Sequence, residues 1–314
     1  MKHLKNSSLL QKFAQKINDP SNIKIILPES NDRVSQASEI LSEIGINVSQ
    51  KQDIENYNIE SLAILKKLKF AKNWPEQDLI EYANHPYIKS LLILKEGKVG
   101  GVVCGSELST AEVIRGGLRI IGLKNSVKNL SSMFLMVSKN GKNFFTFSDC
   151  AVIPEPSSEQ LVEIAYQSSL MHESILNESP KIAFLSFSTN GSADHYRVKN
   201  IQKAVKIFSK KHPDIEFEGE VQVDAALDPV VSKNKIQNSK LKGDANILIF
   251  PNLDAGNIGY KLVQRFASYF ACGPLLLGLE KPVNDLSRGS TVEDIVLISI
   301  LTAIQSERAK DANI

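Results

Sequence analysis

Short apolar runs alternate along this chain with stretches whose apolar residues recur every three or four positions. KIILP (24–28) is a continuous apolar run and predicts a buried strand. In the RVSQASEILSEIG that follows, Val34, Ala37, Ile40, Leu41 and Ile44 fall at helical spacing, and Gly45 supplies a C-terminal stop. Residues 59–96 predict mostly helix, interrupted near Pro75 and Pro86. VGGVVCG (99–105) predicts a strand, and STAEVIRGGLRIIG (109–122) the helix after it. The pattern then changes. SSMFLMVSKNGKNFFTFSD sets two apolar runs around Asn140-Gly141, a strong β-hairpin signal. After it come a helix at about 157–177, a strand KIAFLSFS (181–188), a helix at about 194–211 and a strand near 215–223. NILIFP (246–251) is another buried strand, followed by a helix after Asn257. LLLGL (275–279) reads as the last strand and residues 291–306 as the last helix.

Strands alternating with helices imply an α/β fold with mostly parallel sheets covered on both faces. The hairpin near 131–148 is the natural place for a second sheet to begin, and 314 residues suffice for about two domains. Composition refines this only slightly. The chain is 42% apolar and 23% charged, as ordinary globular proteins are. A formal net charge of +2, with no basic tail and no zinc-finger spacing, argues against a nucleic-acid partner. Cys104, Cys150 and Cys272 are far apart and form no CxxC, and the five histidines form no HExxH. No metal site is expected, and the sparse thiols fit a cytoplasmic protein. MKHLKNSSLLQKFAQKIN lacks the apolar core of a secretory signal; Leu9, Leu10, Phe13, Ala14 and Ile17 instead form one helical face. IVLISILTAI (295–304) is too short to span a bilayer, so no membrane partner is expected.

Candidate chemistry gathers where strands pass into helices, the places at which open α/β sheets bind ligands. CGSELSTAEVIRGGL (104–118) sets small and hydroxyl residues at such a turn. Ser109 or Thr110 is a cap candidate, and Arg115 lies in the second turn. SFSTNGSADHYRVKN (186–200) suits either an anion cradle or an ordinary strand-to-helix loop. Asp194 and His195 invite a hydrolase triad, but no GxSxG elbow accompanies them. In FPNLDAGNIGYKLVQR (250–265), Asn257 orients a ligand or makes a turn. In NDLSRGSTVEDIV (284–296), Ser290-x-x-Glu293 matches a capping box, with Asp294 beside it in the first turn. Capping leaves Ser287 and Arg288 unexplained. An arginine just before a helix N-terminus opposes the helix dipole unless an anion shares the site. Ser287, Arg288 and the helix start therefore form a plausible oxyanion or phosphate pocket, with Asp294 a base within reach. No GxGxxG or GxxxxGK[ST] is present.

GPLLLGLEKPVNDLSRGSTVEDIV resembles the signature of the phosphate acetyltransferase (phosphotransacetylase) family. EVQVDAAL (220–227), ANILIFPNLDAGNIGYKLVQR (245–265), FLSFSTNGSA (184–193), SELSTAEVIRGGL (106–118) and KIILPES (24–30) resemble further family blocks, in the family's order. The resemblance implies reversible acetyl transfer between coenzyme A and inorganic phosphate, by direct thiol attack in a ternary complex. Coenzyme A would be a substrate, with no tightly bound cofactor. The family's catalytic serine, arginine and aspartate fall on Ser287, Arg288 and Asp294. Substrate contacts would fall on Arg115, Thr110, Asn257 and Lys69. The resemblance also implies two three-layer α/β domains with a cleft between them, similar to isocitrate and isopropylmalate dehydrogenases. Residues 1–125 plus 278–314 would form the first domain and 126–277 the second, the latter carrying a homodimer surface.

The chain departs from the family pattern over 46–98, where the usual glycine-bearing strand is absent. Lys69 stands there in place of an arginine, and lacks its bidentate fork. Competing readings are a phosphate butyryltransferase, a non-catalytic regulatory module of the same fold, and a nicotinamide-dependent dehydrogenase. The last would need a set of metal-binding aspartates, which the sequence does not offer.

Overall fold

The computed structural model of the chain describes residues 8–311. The start of the N-terminal stretch, MKHLKNS, lies outside them, and with it that part of the signal-sequence reading. Contacts divide the chain into two compact units. One comprises the chain up to Lys128 and from Leu279 onward; the other is Asn129–Gly278.

The first unit carries a four-stranded sheet. Its strands are β1 (Lys24–Leu27), β2 (Asn47–Gln50), β3 (Gly101–Cys104) and β10 (Val283–Asp285), in the order β10-β3-β1-β2 and all parallel. Ile25, Ile26 and Leu27 are fully buried, as an apolar run without alternation requires. Each such side chain contributes about 1.5–3 kcal/mol by leaving water. Helix Val292–Asp311 packs on β1, β3 and helix Asp32–Glu43. It comes so close to β3 that a Cβ on Gly100 or Gly101 would strike Ser306 or Thr302. Leu9, Leu10, Phe13 and Ile17 are buried, in keeping with the apolar face read from the sequence.

Two strands of this sheet escaped the sequence reading. β2 is NVSQ and pairs with β1 from Lys24↔Asn47 to Leu27↔Gln50, so the strand expected to be absent is present, without the glycine. It is an edge strand with one neighbour, and therefore needs no apolar run. β10, not LLLGL, is the last strand. It is VND and wholly buried. The polar side chain of Asn284 is satisfied inside the unit: it donates to Thr302 Oγ1 at 2.8 Å and to Gln305 Oε1 at 2.6 Å.

The second unit holds a six-stranded sheet. Its strands are β4 (Ser131–Val137), β5 (Phe144–Ser148), β6 (Lys181–Leu185), β7 (Glu216–Val221), β8 (Ile247–Ile249) and β9 (Phe270–Leu277), in the order β7-β6-β8-β5-β4-β9. β4 and β5 form the antiparallel hairpin expected around Asn140-Gly141, and Gly141 takes φ +67°. β5, β8, β6 and β7 are parallel. Strand alternation builds three layers. Ile182, Phe184, Ile247 and Ile249 face helices Ser158–Leu176 and Tyr196–Lys211. Ala183, Leu185 and Leu248 face the other way, toward Tyr260 and Val263 of helix Leu253–Phe266. That helix begins before Asn257, not after it. Asn252 is its cap, accepting from Ala255 N–H at 2.9 Å.

Candidate active site

β1, β3 and β10 end side by side, and the chain leaves them in three neighbouring loops, 28–31, 105–109 and 286–291. The loop after β3 is built around Glu29, which is only 6% exposed. Glu29 Oε1 accepts from the N–H groups of Gly105 at 3.0 Å, Glu107 at 2.9 Å and Leu108 at 2.9 Å. Oε2 accepts from Ser106 N–H at 2.9 Å and from its hydroxyl at 2.6 Å. Such a nest of donors is what an anion site needs, but here the chain's own carboxylate fills it. Asn31 ties the same loop, donating to Ser106 Oγ at 3.0 Å and Glu107 Oε1 at 2.9 Å.

The loop after β6, the other candidate cradle, also turns its donors inward. Buried Glu220 accepts from Gly191 N–H at 2.6 Å and from the Ser188 hydroxyl at 2.9 Å. Thr189 N–H donates to Ser192 Oγ at 3.1 Å, and Ala193 N–H to Ser188 Oγ at 3.2 Å. Of the two readings of this segment, the structure therefore favours the ordinary strand-to-helix loop. Asp194 pairs with Lys199 at 2.7 Å, and His195 caps the next helix by accepting from Arg197 N–H at 3.3 Å, so they form no triad.

Helix Thr110–Gly116 starts with a capping box, and of the two cap candidates the helix uses Ser109. Ser109 accepts from Glu112 N–H at 3.3 Å, and Glu112 accepts from Ser109 N–H at 2.8 Å. Thr110 points elsewhere: its hydroxyl donates to Asp285 Oδ2 at 2.6 Å. Successive strand residues face opposite sides, so Asp285 turns away from the helix that Asn284 touches. Asp285 is 1% exposed, and its Oδ1 has no hydrogen-bond partner. Gly105, at φ +114°, closes over it; a Cβ there would collide with Asp285 Oδ1 and the Leu286 backbone. Burial pushes the Asp285 carboxyl up to about 6; the Thr110 bond opposes the shift and the nearby charge of Glu29 adds to it.

The third loop carries Ser287 and Arg288, both exposed. Ser287 N–H donates to Ser290 Oγ at 3.0 Å, and Ser287 Oγ accepts from Gly289 N–H at 3.2 Å. The capping box lies one residue later than Ser290-x-x-Glu293. Thr291 accepts from Asp294 N–H at 3.2 Å, while Asp294 Oδ2 accepts from Thr291 N–H at 2.8 Å and its hydroxyl at 2.9 Å. Ser290 serves the preceding turn instead, because its hydroxyl already faces Ser287. Arg33, in the first turn of helix Asp32–Glu43, reaches across to this loop. Its Nη1 donates to Arg288 O at 2.9 Å and Ser290 O at 2.6 Å, and its Nη2 to Ser106 O at 3.5 Å.

Ser287, Arg288 and Asp294 thus lie on one turn-and-helix segment, and Thr110 touches the strand that leads into it. Arg115 lines a cavity of about 370 Å³ in the same unit, with Arg119, Trp74, Tyr82, His85 and Glu112. Arg119 stacks 5.4 Å from the Phe70 ring. Lys69 is an exposed residue at the head of the short turn Lys69–Ala71. Asn257 belongs to the second unit, inside a helix, where its amide donates to Cys150 O at 3.1 Å. All three cysteines are buried and unbridged. Burial pushes the thiols of Cys104 and Cys150 well above their ordinary range, which suits inert core residues.

Residues 9–303 match the family model described as phosphate acetyl/butaryl transferase. The chain belongs to this family. A phosphate acetyltransferase of Acetivibrio thermocellus is 37% identical over 314 residues, covering 91% of this chain and 95% of the relative. One of Bacillus subtilis is 38% identical over 283 residues, covering 90% and 86%. Among solved structures, a phosphotransacetylase from Streptococcus pyogenes superposes with a TM-score of 0.83 at 32% identity, covering 96% and 99% of the two chains. The EutD phosphotransacetylase from Staphylococcus aureus gives 0.81 at 34% identity, covering 96% and 98%.

Sequence reasoning missed Glu29, Arg33, Asp285 and Arg119 as parts of the candidate site and its surroundings. The available signals were weak. Glu29 is a lone acid just past an apolar strand, and Arg33 is a cation in a first helical turn, where the dipole disfavours it.

Proposed function

We propose that this chain transfers an acetyl group reversibly between coenzyme A and inorganic phosphate. The observation that carries the reading is the segment after β10, where an exposed serine and arginine precede a helix whose first turn holds Asp294. Asp294 directs Oδ2 to Thr291, which leaves Oδ1 for a substrate proton. In this reading the coenzyme A thiol gives its proton to Asp294, and the sulfur attacks the acetyl carbonyl carbon. The carbon–oxygen bond to phosphate breaks, and phosphate leaves with the electron pair. Ser287 donates to the sulfur or the developing oxyanion, and Arg288 holds the phosphate. Arg115, Thr110, Lys69 and Asn257 serve substrate binding, Arg115 through the cavity it shares with Arg119. Holding both substrates together lowers the entropic part of the barrier.

Coenzyme A is a substrate here, and no resident cofactor is required. The enzyme works in the cytoplasm as a homodimer, the second unit providing the surface. Ile258, Leu262 and Phe266 support that assignment: they are 56%, 50% and 85% exposed and recur every four residues along one helix. No helix among the described residues is long and apolar enough to cross a membrane.

The test is thiol release from acetyl-CoA with and without phosphate, repeated with propionyl- and butyryl-CoA. Phosphate-dependent release, fastest with the acetyl donor, is expected. Preference for butyryl-CoA would move the chain to the other specificity in its family. No phosphate-dependent release with any donor would overturn the reading.

A further inference from the structure

The short segment after β1 governs both loops of the candidate site. Glu29 and Asn31 hold the loop after β3, as described. Arg33 joins that loop to the one after β10, through the carbonyls of Ser106, Arg288 and Ser290. Its position needs explaining, because the partial positive charge of a helix N-terminus disfavours a cation in the first turn. Arg33 also forms no ion pair among the described residues. Three carbonyl oxygens on two loops take its donors instead. A planar fork with five N–H groups meets several acceptors at once, which a lysine ammonium on a flexible stem does less well.

We infer that Arg33 is a positioning residue of the transfer reaction: its guanidinium fixes the main chain of Arg288–Ser290, and with it the directions of the Ser287 hydroxyl and the Arg288 side chain. The inference rests on the roles given to Ser287 and Arg288 under Proposed function. The mechanism is steric and local. The carbonyls of Arg288 and Ser290 flank Gly289, which has no side chain to hold the turn; a Cβ there would meet only Ser287 Oγ, at 3.8 Å. Inside the turn, three bonds close the loop: Ser287 N–H to Ser290 Oγ, Gly289 N–H to Ser287 Oγ and Ser290 N–H to Ser287 O. Each is a contact of the loop with itself, so these bonds can persist while the loop swings as a body. Arg33 supplies the anchor outside the loop.

The experiment compares Arg33→Ala, Arg33→Lys and Arg33→Gln with wild type and with Arg288→Ala. Three measurements are made: steady-state kinetics with both substrates, thermal midpoints, and amide exchange over 287–291. For Arg33→Ala the expected kcat loss is on the order of 10²-fold, the effect of misplacing a reacting group by about 1 Å. KM values should stay within about threefold of wild type, as expected when binding groups are left in place. Exchange at Ser287, Gly289 and Ser290 should rise, with the rest of the protein unchanged. Arg33→Lys should recover part of kcat, and guanidinium ion should partly rescue Arg33→Ala but not Arg288→Ala. Wild-type kcat in Arg33→Ala would overturn the inference. So would a defect confined to the KM for phosphate, which would mark Arg33 as a direct ligand. If Arg33→Ala does not fold, Arg33→Gln answers the same questions with two donors retained. If the wild type transfers no acetyl group, the functional reading fails, while the exchange data still decide whether Arg33 anchors the loop.

Discussion

Asp294 Oδ2 accepts two hydrogen bonds from Thr291, one from its N–H at 2.8 Å and one from its hydroxyl at 2.9 Å. The carboxylate proposed as base is therefore also the third residue of a capping box, and one oxygen does each job. Asp294→Asn separates them. The side chain keeps an acceptor for Thr291, so stability should fall by no more than about 0.3–1 kcal/mol. Turnover should fall by roughly 10²–10⁴-fold, the usual contribution of a positioned base. The loss should shrink from about pH 6.5 to 9, as more coenzyme A becomes thiolate unaided. Turnover across that range, set beside the thermal midpoint, checks the assignment; a folded variant with normal turnover throughout would leave Asp294 as a cap alone.

Arg288 and Arg115 should fail in different ways. Arg288→Lys keeps the charge and loses the bidentate fork, so it should mainly depress kcat. Arg115 lines a separate cavity, and Arg115→Ala should mainly raise the KM for coenzyme A or acetyl phosphate. Steady-state kinetics with each substrate varied in turn distinguish the two, and unchanged constants for both would make them surface charges.

Asp285 gives the fold a pH dependence of unusual sign. Its folded carboxyl titrates near 6, above the ordinary value of 3.8, so the folded protein holds the proton more tightly than the unfolded chain. Its stability cost therefore grows as pH rises from about 4 to 6 and is complete above that, at about 3 kcal/mol. Asp285→Asn keeps an acceptor for Thr110 and removes the charge. Urea midpoints of variant and wild type from about pH 4 to 8 should diverge in the variant's favour as pH rises. A pH-independent difference would show that Asp285 does not titrate in that window.

His172 works in the opposite sense. It is fully buried, with Nδ1 2.9 Å from Thr146 Oγ1 and Nε2 without a hydrogen-bond partner. Burial lowers its pKa from 6.5 to about 4. A neutral buried histidine stabilises the fold above about pH 6.5, and that contribution is lost as pH falls toward about 4, the loss reaching about 3 kcal/mol. His172→Gln should flatten the acid limb of the stability profile while lowering stability at neutral pH. The same urea titration reads it, and an acid limb as steep as wild type's would assign that limb to other groups.

What the sequence determined by itself is local. The run KIIL, the Asn140-Gly141 turn and a helix cap at Ser109 or Thr110 were all legible, because each rests on neighbours within a few positions. The family was legible too, since NDLSRGSTVEDIV concentrates its signal in thirteen consecutive residues. β2 and β10 were not legible: three residues of NVSQ and two of VND are polar, and pairing with β1 and β3 makes them strands. The capping box shifted from Ser290 to Thr291 because Ser290 is held by Ser287, a choice that two adjacent hydroxyl residues leave open. Only the tertiary structure decided what fills the cradle after β3 and what bonds to the loop after β10. Glu29 meets Gly105 across 76 positions, and Arg33 meets Arg288 across 255. Those contacts exist because strand order sets β1 beside β3 and β3 beside β10. Hydrophobic periodicity reports which face of a strand is buried; it carries no information about which strand lies next to it.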